Sequence, residues 1–177
     1  MPTLQLAIPQ QRAATVFSDV PWDSWAYQAA QWAYQNGYLN TYADGSFRLN
    51  GTVSHQQMWE IMAQWMGNPI TGDREILTWA LQHGAARGDR PESAMTRGEM
   101  IVYLHKCYFL MGGDTSAEGT LSNYADSRLI PAVSARKAWI WAVDRGLISG
   151  TEDGYLNPNT PVSRGEFASI LMRLCQK

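Results

Sequence analysis

Apolar residues recur along this chain at helical spacing, and the pattern comes in pairs that repeat three times. In the second member of each pair, counting from a Ser or Thr, positions +4, +7, +8 and +11 are apolar every time. These are Met58, Ile61, Met62 and Trp65; Met100, Tyr103, Leu104 and Cys107; and Phe167, Ile170, Leu171 and Leu174. Spacings of three and four place each set on one face of a helix. The first member carries a shared string, WAYQNG from Trp32, WALQHG from Trp79 and WAVDRG from Trp141. In the first copy Trp25, Ala29, Trp32 and Ala33 form one stripe, Asp23 or Ser24 suits the N-cap, and Gly37 stands at the C-terminal stop.

The starts of the second helices have a mechanism. Thr96 with Glu99 and Ser163 with Glu166 are capping boxes, and Ser54 with Gln57 is the glutamine form. Seventeen residues separate Gly37 from Ser54 and Gly146 from Ser163, but only twelve separate Gly84 from Thr96, so the middle loop is shortened. In the longer loops Asp44-Gly45 and Asp153-Gly154 predict tight turns followed by a short extended piece. Entry segments FSDVPWDSWA from Phe17 and YADSRLIPAVSA from Tyr124 share an aromatic residue followed two positions later by Asp, and the middle copy lacks one.

A single helix pair cannot bury its own stripe, so three pairs are expected to converge on a common centre with approximate threefold symmetry. The fold class expected is all-α. The divisions expected are an amino-terminal lead over 1–16, repeats over 17–67, 68–111 and 124–177, and a linker over 112–123 whose small and polar residues bury little.

Composition narrows the function. With 45% apolar residues among 177 the chain can bury a core. A formal net charge of -2 supplies no general field for nucleic acid. The most apolar run, MIVYLHKCYFLMGG, is broken by His105 and Lys106 and is shorter than the roughly 18 residues of a membrane span. The opening MPTLQLAIPQQRAATVF has neither a basic start nor an unbroken apolar stretch, so no export signal is expected within this chain. Cys107 and Cys175 lack metal or redox spacing and, lying in apolar helical stretches, read as buried free thiols. The Asp-Gly loops do not match a dedicated calcium pattern, so no metal and no cofactor is expected. Neither HExxH nor GxSxG occurs, and His105 and Cys107 face different ways on a helix, so the chain is read as a non-enzyme.

The aromatic-x-Asp entry, the Trp-Ala helix closed by Gly, the Asp-Gly loop and the TRGE and SRGE strings together resemble the S-layer homology family. The match is fullest in the third copy, from YADSRLIPA through WAVDRGLISGTEDGYLNPNTPVSRGEFASILMRL. The resemblance implies a three-pronged spindle of helix-loop-helix repeats around a central bundle. It also implies inter-repeat grooves that hold secondary cell-wall polysaccharide, often decorated with pyruvate ketals. It places the ligand-contacting arginine at Arg97 and Arg164, where the first copy has His55. The ligand-binding set expected takes in the neighbouring Thr96 and Ser163 and the helix-closing Gly84 and Gly146, with His55, Ser54, Asp126 and Trp25 at its margin. A guanidinium beside a helix start can hold a carboxylate through two parallel hydrogen bonds. Trp32, Trp79 and Trp141 lie on the repeated stripe and are assigned to the core, leaving Trp22 and Trp25 freer.

The function expected is non-covalent anchoring of a surface protein to the bacterial cell wall through that polysaccharide, with the chain at the cell surface and possible fusion to, or association with, a surface protein. No nucleic acid and no membrane insertion is expected. The alternative is a degenerate repeat fold that serves as a protein-interaction scaffold without saccharide binding.

Overall fold

The computed structural model describes residues 12–86, 88 and 90–176. Six helices carry them: α1 (Tyr27–Gln35), α2 (His55–Trp65), α3 (Asp73–Gln82), α4 (Arg97–Leu110), α5 (Val133–Asp144) and α6 (Arg164–Cys175), with a 3-10 turn at Ser127–Leu129. The described residues form no named strand, only three isolated antiparallel bridges, so the fold is all-α. None of these helices is long and apolar enough to cross a membrane.

The periodicity of the second helices is translated directly into burial: all twelve of the +4, +7, +8 and +11 residues are buried. Their starts are the expected capping boxes. The side chains of Ser54, Thr96 and Ser163 accept from the amides of Gln57, Glu99 and Glu166, whose own side chains accept from the cap amides in return. The first helices end as the glycines require. Gly37, Gly84 and Gly146 have φ of 70°, 64° and 61°, a left-handed conformation that a Cβ disfavours. In α1 the Gly37 amide donates to the Tyr34 carbonyl and the Tyr38 amide to that of Ala33, which satisfies the last carbonyls of the helix.

The start of α1 differs from expectation. Neither Asp23 nor Ser24 is the cap: the helix opens after Ala26 with no side-chain cap bond. Ahead of it the Ser24 amide donates to the Pro21 carbonyl and the Tyr27 amide to that of Ser24, so a turn occupies the place of the first helical residues. Trp25 therefore sits before the helix, 69% exposed, rather than on its inward stripe. Trp79 and Trp141 are buried as expected, whereas Trp32 is only half-buried, with its ring 5.3 Å from that of Tyr38.

The described residues group into two compact units. One is Ser54–Pro161, and the other takes in the described part of Ala7–Val53 with Val162–Lys177. In the first, α4 packs against α5, and α2 packs against α3 and α4, around Trp59, Trp139, Met100 and Leu104. In the second, α1 packs against α6, with the Phe17 ring 5.1 Å from Phe47 and 6.1 Å from Tyr27. The cut falls immediately before Ser54 and after Pro161, so the first and third helix-loop-helix segments each contribute to both units. The stretch 112–123 lies within the first unit, drawn onto α5: Arg145 donates to the Asp114 carbonyl at 2.7 Å and pairs with its carboxylate at 3.3 Å. The first eleven residues of the amino-terminal lead lie outside the described residues.

Candidate functional site

One joint is built three times, at the starts of the second helices. A helix leaves its first amides without internal partners, and here another segment's loop supplies them. The amides of His55 and Gln56 donate to the carbonyls of Ser93 and Pro91, those of Arg97 and Gly98 to Thr160 and Pro158, and those of Arg164 and Gly165 to Gly51 and Leu49. A backbone bridge accompanies each: Ser54 with Ala94, Thr96 with Pro161, and Thr52 with Ser163. Gly98 and Gly165 allow this close approach, since a Cβ would stand 3.0 Å from the Pro158 carbonyl oxygen and 3.2 Å from a Leu49 methyl.

The side chain after each cap follows its backbone into the loop. Arg97, 9% exposed, donates from Nε to the Leu156 carbonyl at 3.0 Å. Arg164, 2% exposed, donates from Nε to the Phe47 carbonyl at 2.8 Å and from its terminal nitrogen to that of Asn40 at 2.5 Å. Burial lowers the pKa of Arg164 from its usual value, and the Arg48 guanidinium adds to this, while Tyr42 and Asp19 act in the opposite sense. His55, 4% exposed, sets Nδ1 2.9 Å from the Ser93 carbonyl. The residue type differs but the place is the same: each of the three reaches a carbonyl of the loop that its helix start is docked on.

The remaining expected residues divide between framework and opening. Asp126, 7% exposed, accepts from the amides of Leu156 and Asn157 at 2.8 and 2.7 Å. Its counterpart Asp19 accepts from Phe47 and Arg48 at 2.7 and 2.8 Å. Both therefore brace a loop at a residue in the left-handed region, Asn157 with φ 52° and Arg48 with φ 57°. Ser54 and Ser163 are engaged as caps, and Gly146 closes α5 at the surface. Trp25 leans toward the start of α6, where a Cβ on Gly165 would meet its ring at 3.4 Å.

Within the Ser54–Pro161 unit an open groove of about 440 Å³ runs between α4 and the start of α5. Of the expected residues, Thr96 and Gly84 line it. One wall is a single face of α4, Glu99, Val102, Tyr103 and Lys106, set at helical spacing, and Trp139 of α5 also lines the space. The opposite wall holds Ala132, Ser134 and Ala135 at the start of α5, which has no side-chain cap bond. Among the described residues no hydrogen bond is recorded for the amides of Val133, Ser134 and Ala135, so this helix start is open where those of α2, α4 and α6 are closed.

Lys106 was not among the expected site residues. In the sequence Lys106 breaks an apolar run, and its place two turns beyond the capping Glu99 is the signal that puts the two on one helix face. Its ammonium donates to the His83 carbonyl at 2.6 Å, and a Cβ on Gly84 would come within 3.1 Å of it. Gly84 thus does more than end α3, because it leaves room for a cation at the groove. The Glu99 carboxylate, 39% exposed, accepts from the Thr96 amide at 2.8 Å and hydroxyl at 3.0 Å, and lies 3.4 Å from His55 Nε2. The groove can therefore offer an ammonium, open helical amides and the one lone pair of the Thr96 hydroxyl not used in its cap to an anionic or hydroxyl-rich ligand.

No curated protein sequence matches the chain. The S-layer homology domain model matches residues 16–58 and 123–168, together half of the chain. Such domains anchor surface proteins to the cell wall and bind cell-wall polysaccharide. The matched segments carry both bracing aspartates, the Asp-Gly turns, and the starts of α2 and α6. On that footing the chain belongs to the S-layer homology domain family.

Proposed function

We propose that this protein anchors its carrier to the bacterial wall by binding an acidic wall polysaccharide in the groove between α4 and α5, and that 68–111 is a shortened S-layer homology repeat. The observation that carries the ligand class is the meeting of Lys106 with the open start of α5 in one groove. An ammonium with two further donors and a helix start without a cap both favour negative charge. A saccharide bearing carboxylates, such as a pyruvylated one, supplies that charge together with hydroxyls for Thr96. In this reading Arg97 and Arg164 act mainly on the loops that their helix starts are docked on, since each gives its Nε to a loop carbonyl.

Sedimentation with purified cell walls, intact or stripped of polysaccharide, tests the proposal. Retention is expected on intact walls only, and equal retention on both overturns it in favour of a protein-interaction scaffold. Replacing Lys106 by Gln removes a charge-assisted contact of about 1.5 to 3 kcal/mol. It should weaken binding by about tenfold or more in calorimetric titration with the released polysaccharide, and unchanged affinity would remove the groove from the reading.

A further inference from the structure

The capping glutamate of α4 is only half used by its cap. Its Oε2 accepts from the Thr96 amide at 2.8 Å and the Thr96 hydroxyl at 3.0 Å, and the same oxygen lies 3.4 Å from His55 Nε2. Among the described residues no donor pairs with Oε1, and the side chain lines the groove, 39% exposed. The cap has no need of that second oxygen, since at the start of α2 a single Gln57 oxygen closes the same box.

The Thr96 hydroxyl completes an acceptor corner. Its proton goes to Glu99 Oε2 and one lone pair takes the Glu99 amide at 3.2 Å, so what it has left to give a ligand is its other lone pair. A carboxylate only accepts. Neighbouring Gly98 adds no donor, because its amide is spent on the Pro158 carbonyl. Asn159, which also lines the space, can do either.

The other end of the same wall makes the opposite demand. Lys106 stands seven residues beyond Glu99 on one face of α4, about 10 Å along the helix axis. Its ammonium and the open amides of α5 only donate. Between the two ends lie Val102 and Tyr103, whose hydroxyl is turned to the Ala85 carbonyl, so the middle of the wall is apolar. A ligand with acid groups alone meets Lys106 well and is repelled at Glu99. One that carries an ammonium as well satisfies both ends, because an ammonium has three donors and no acceptor.

We propose that the α4–α5 groove takes a zwitterionic stretch of saccharide, with an acidic group toward Lys106 and the start of α5 and an unacylated amino sugar at Glu99 and Thr96, and that Glu99 selects for the free amine. This rests on the proposed function for the ligand being a wall polysaccharide, but the acceptor corner stands on the protein alone. An acetamido group answers that corner poorly, with one N–H, no charge and an acyl group to place. Acylating the amine should lower affinity by about tenfold or more.

Amide spectra of the protein decide the corner. The Thr96 and Glu99 signals should move on titration with a glucosamine tetramer whose amines are protonated, and stay in place with the N-acetylglucosamine tetramer. Glu99→Gln should remove the response while the glutamine form of the box keeps the helix start, as at Ser54 and Gln57. Equal responses to the two tetramers, or a response to neither, overturn the inference.

Calorimetry with polysaccharide released from the wall, before and after acetic anhydride has acetylated its amines and left its carboxylates, tests the consequence. Wild-type affinity should fall by about tenfold or more on acetylation. Lys106→Gln should weaken both forms and keep their ratio, whereas Glu99→Gln should bring the ratio near one. Unchanged wild-type affinity on acetylation, or a ratio that survives in Glu99→Gln, overturns the inference and leaves anchoring in place. Polysaccharide that binds in neither form overturns the functional reading instead, and the amide spectra still decide the corner.

Discussion

Removing the Asp126 carboxylate tests how the loops are held, because the chain contains its own control. Asp126 and Asp19 each accept two loop amides at 2.7 to 2.8 Å, but Asp126 is 7% exposed and Asp19 is open to solvent. Hydrogen bonds to a charged group contribute about 1.5 to 3 kcal/mol each, and a buried donor left unpaired forfeits its solvation as well. Asp126→Ala leaves the buried Leu156 amide with no replacement and should destabilise by about 3 to 5 kcal/mol. At Asp19 water can enter, and losing the brace also lets Arg48 leave a left-handed conformation that an arginine tolerates less well than Asn157 does. Asp19→Ala should therefore cost about 1 to 2 kcal/mol. Asp126→Asn, with one acceptor retained, should fall between them. Urea unfolding followed by tryptophan fluorescence measures the three, and amide exchange at Leu156 reports the local opening. An Asp19 variant as costly as the Asp126 variant would refute the argument from burial.

Two further outcomes follow from the packing. Ile170→Ala or Leu171→Ala, each removing a buried aliphatic side chain from α6, should cost about 2 to 5 kcal/mol in denaturant unfolding, and neutrality of both would mean that the stripe is not the core. Burial pushes the Cys107 thiol up to about 12, so a thiol reagent at pH 8 should modify half-buried Cys175 well before Cys107. Burial also raises Tyr38 to about 12, with the nearby Cys175 adding to it. Because the unfolded chain ionises these groups first, their contribution is whole below the ordinary thiol value near 9 and is lost as pH climbs toward 12. The melting temperature should decline across that window, and a flat profile would contradict the burial of both groups.

Local features were legible in the sequence because their causes are local. The twelve stripe residues, the three capping boxes and the glycine helix ends each depend on spacings of a few residues, and all stand as read. The α1 cap was misread because Asp23 and Ser24 suit a cap in composition while Pro21 draws the chain into a turn first. The site was legible only in part, since its pairings are distant. Lys106 meets the start of α5, His55 meets Ser93 and Glu99, and Arg164 meets Asn40 and Phe47 from the far end of the chain. No window of sequence shows that a helix start is closed by another segment's loop, so an arginine beside a cap looks equally suited to a ligand and to a carbonyl.

That closure makes incompleteness a property of each segment. Cut out alone, any of them would present two bare amides at its second helix and loop carbonyls with nothing to receive, a donor edge and an acceptor edge of the same design. Such pieces are complementary to one another by construction. A proteolytic fragment ending at a segment boundary carries an adhesive end, and two fragments can complete each other by exchange. The device that lets one helix-loop-helix segment lean on another within the chain is thus also a route to assembly between chains wherever the segments come apart.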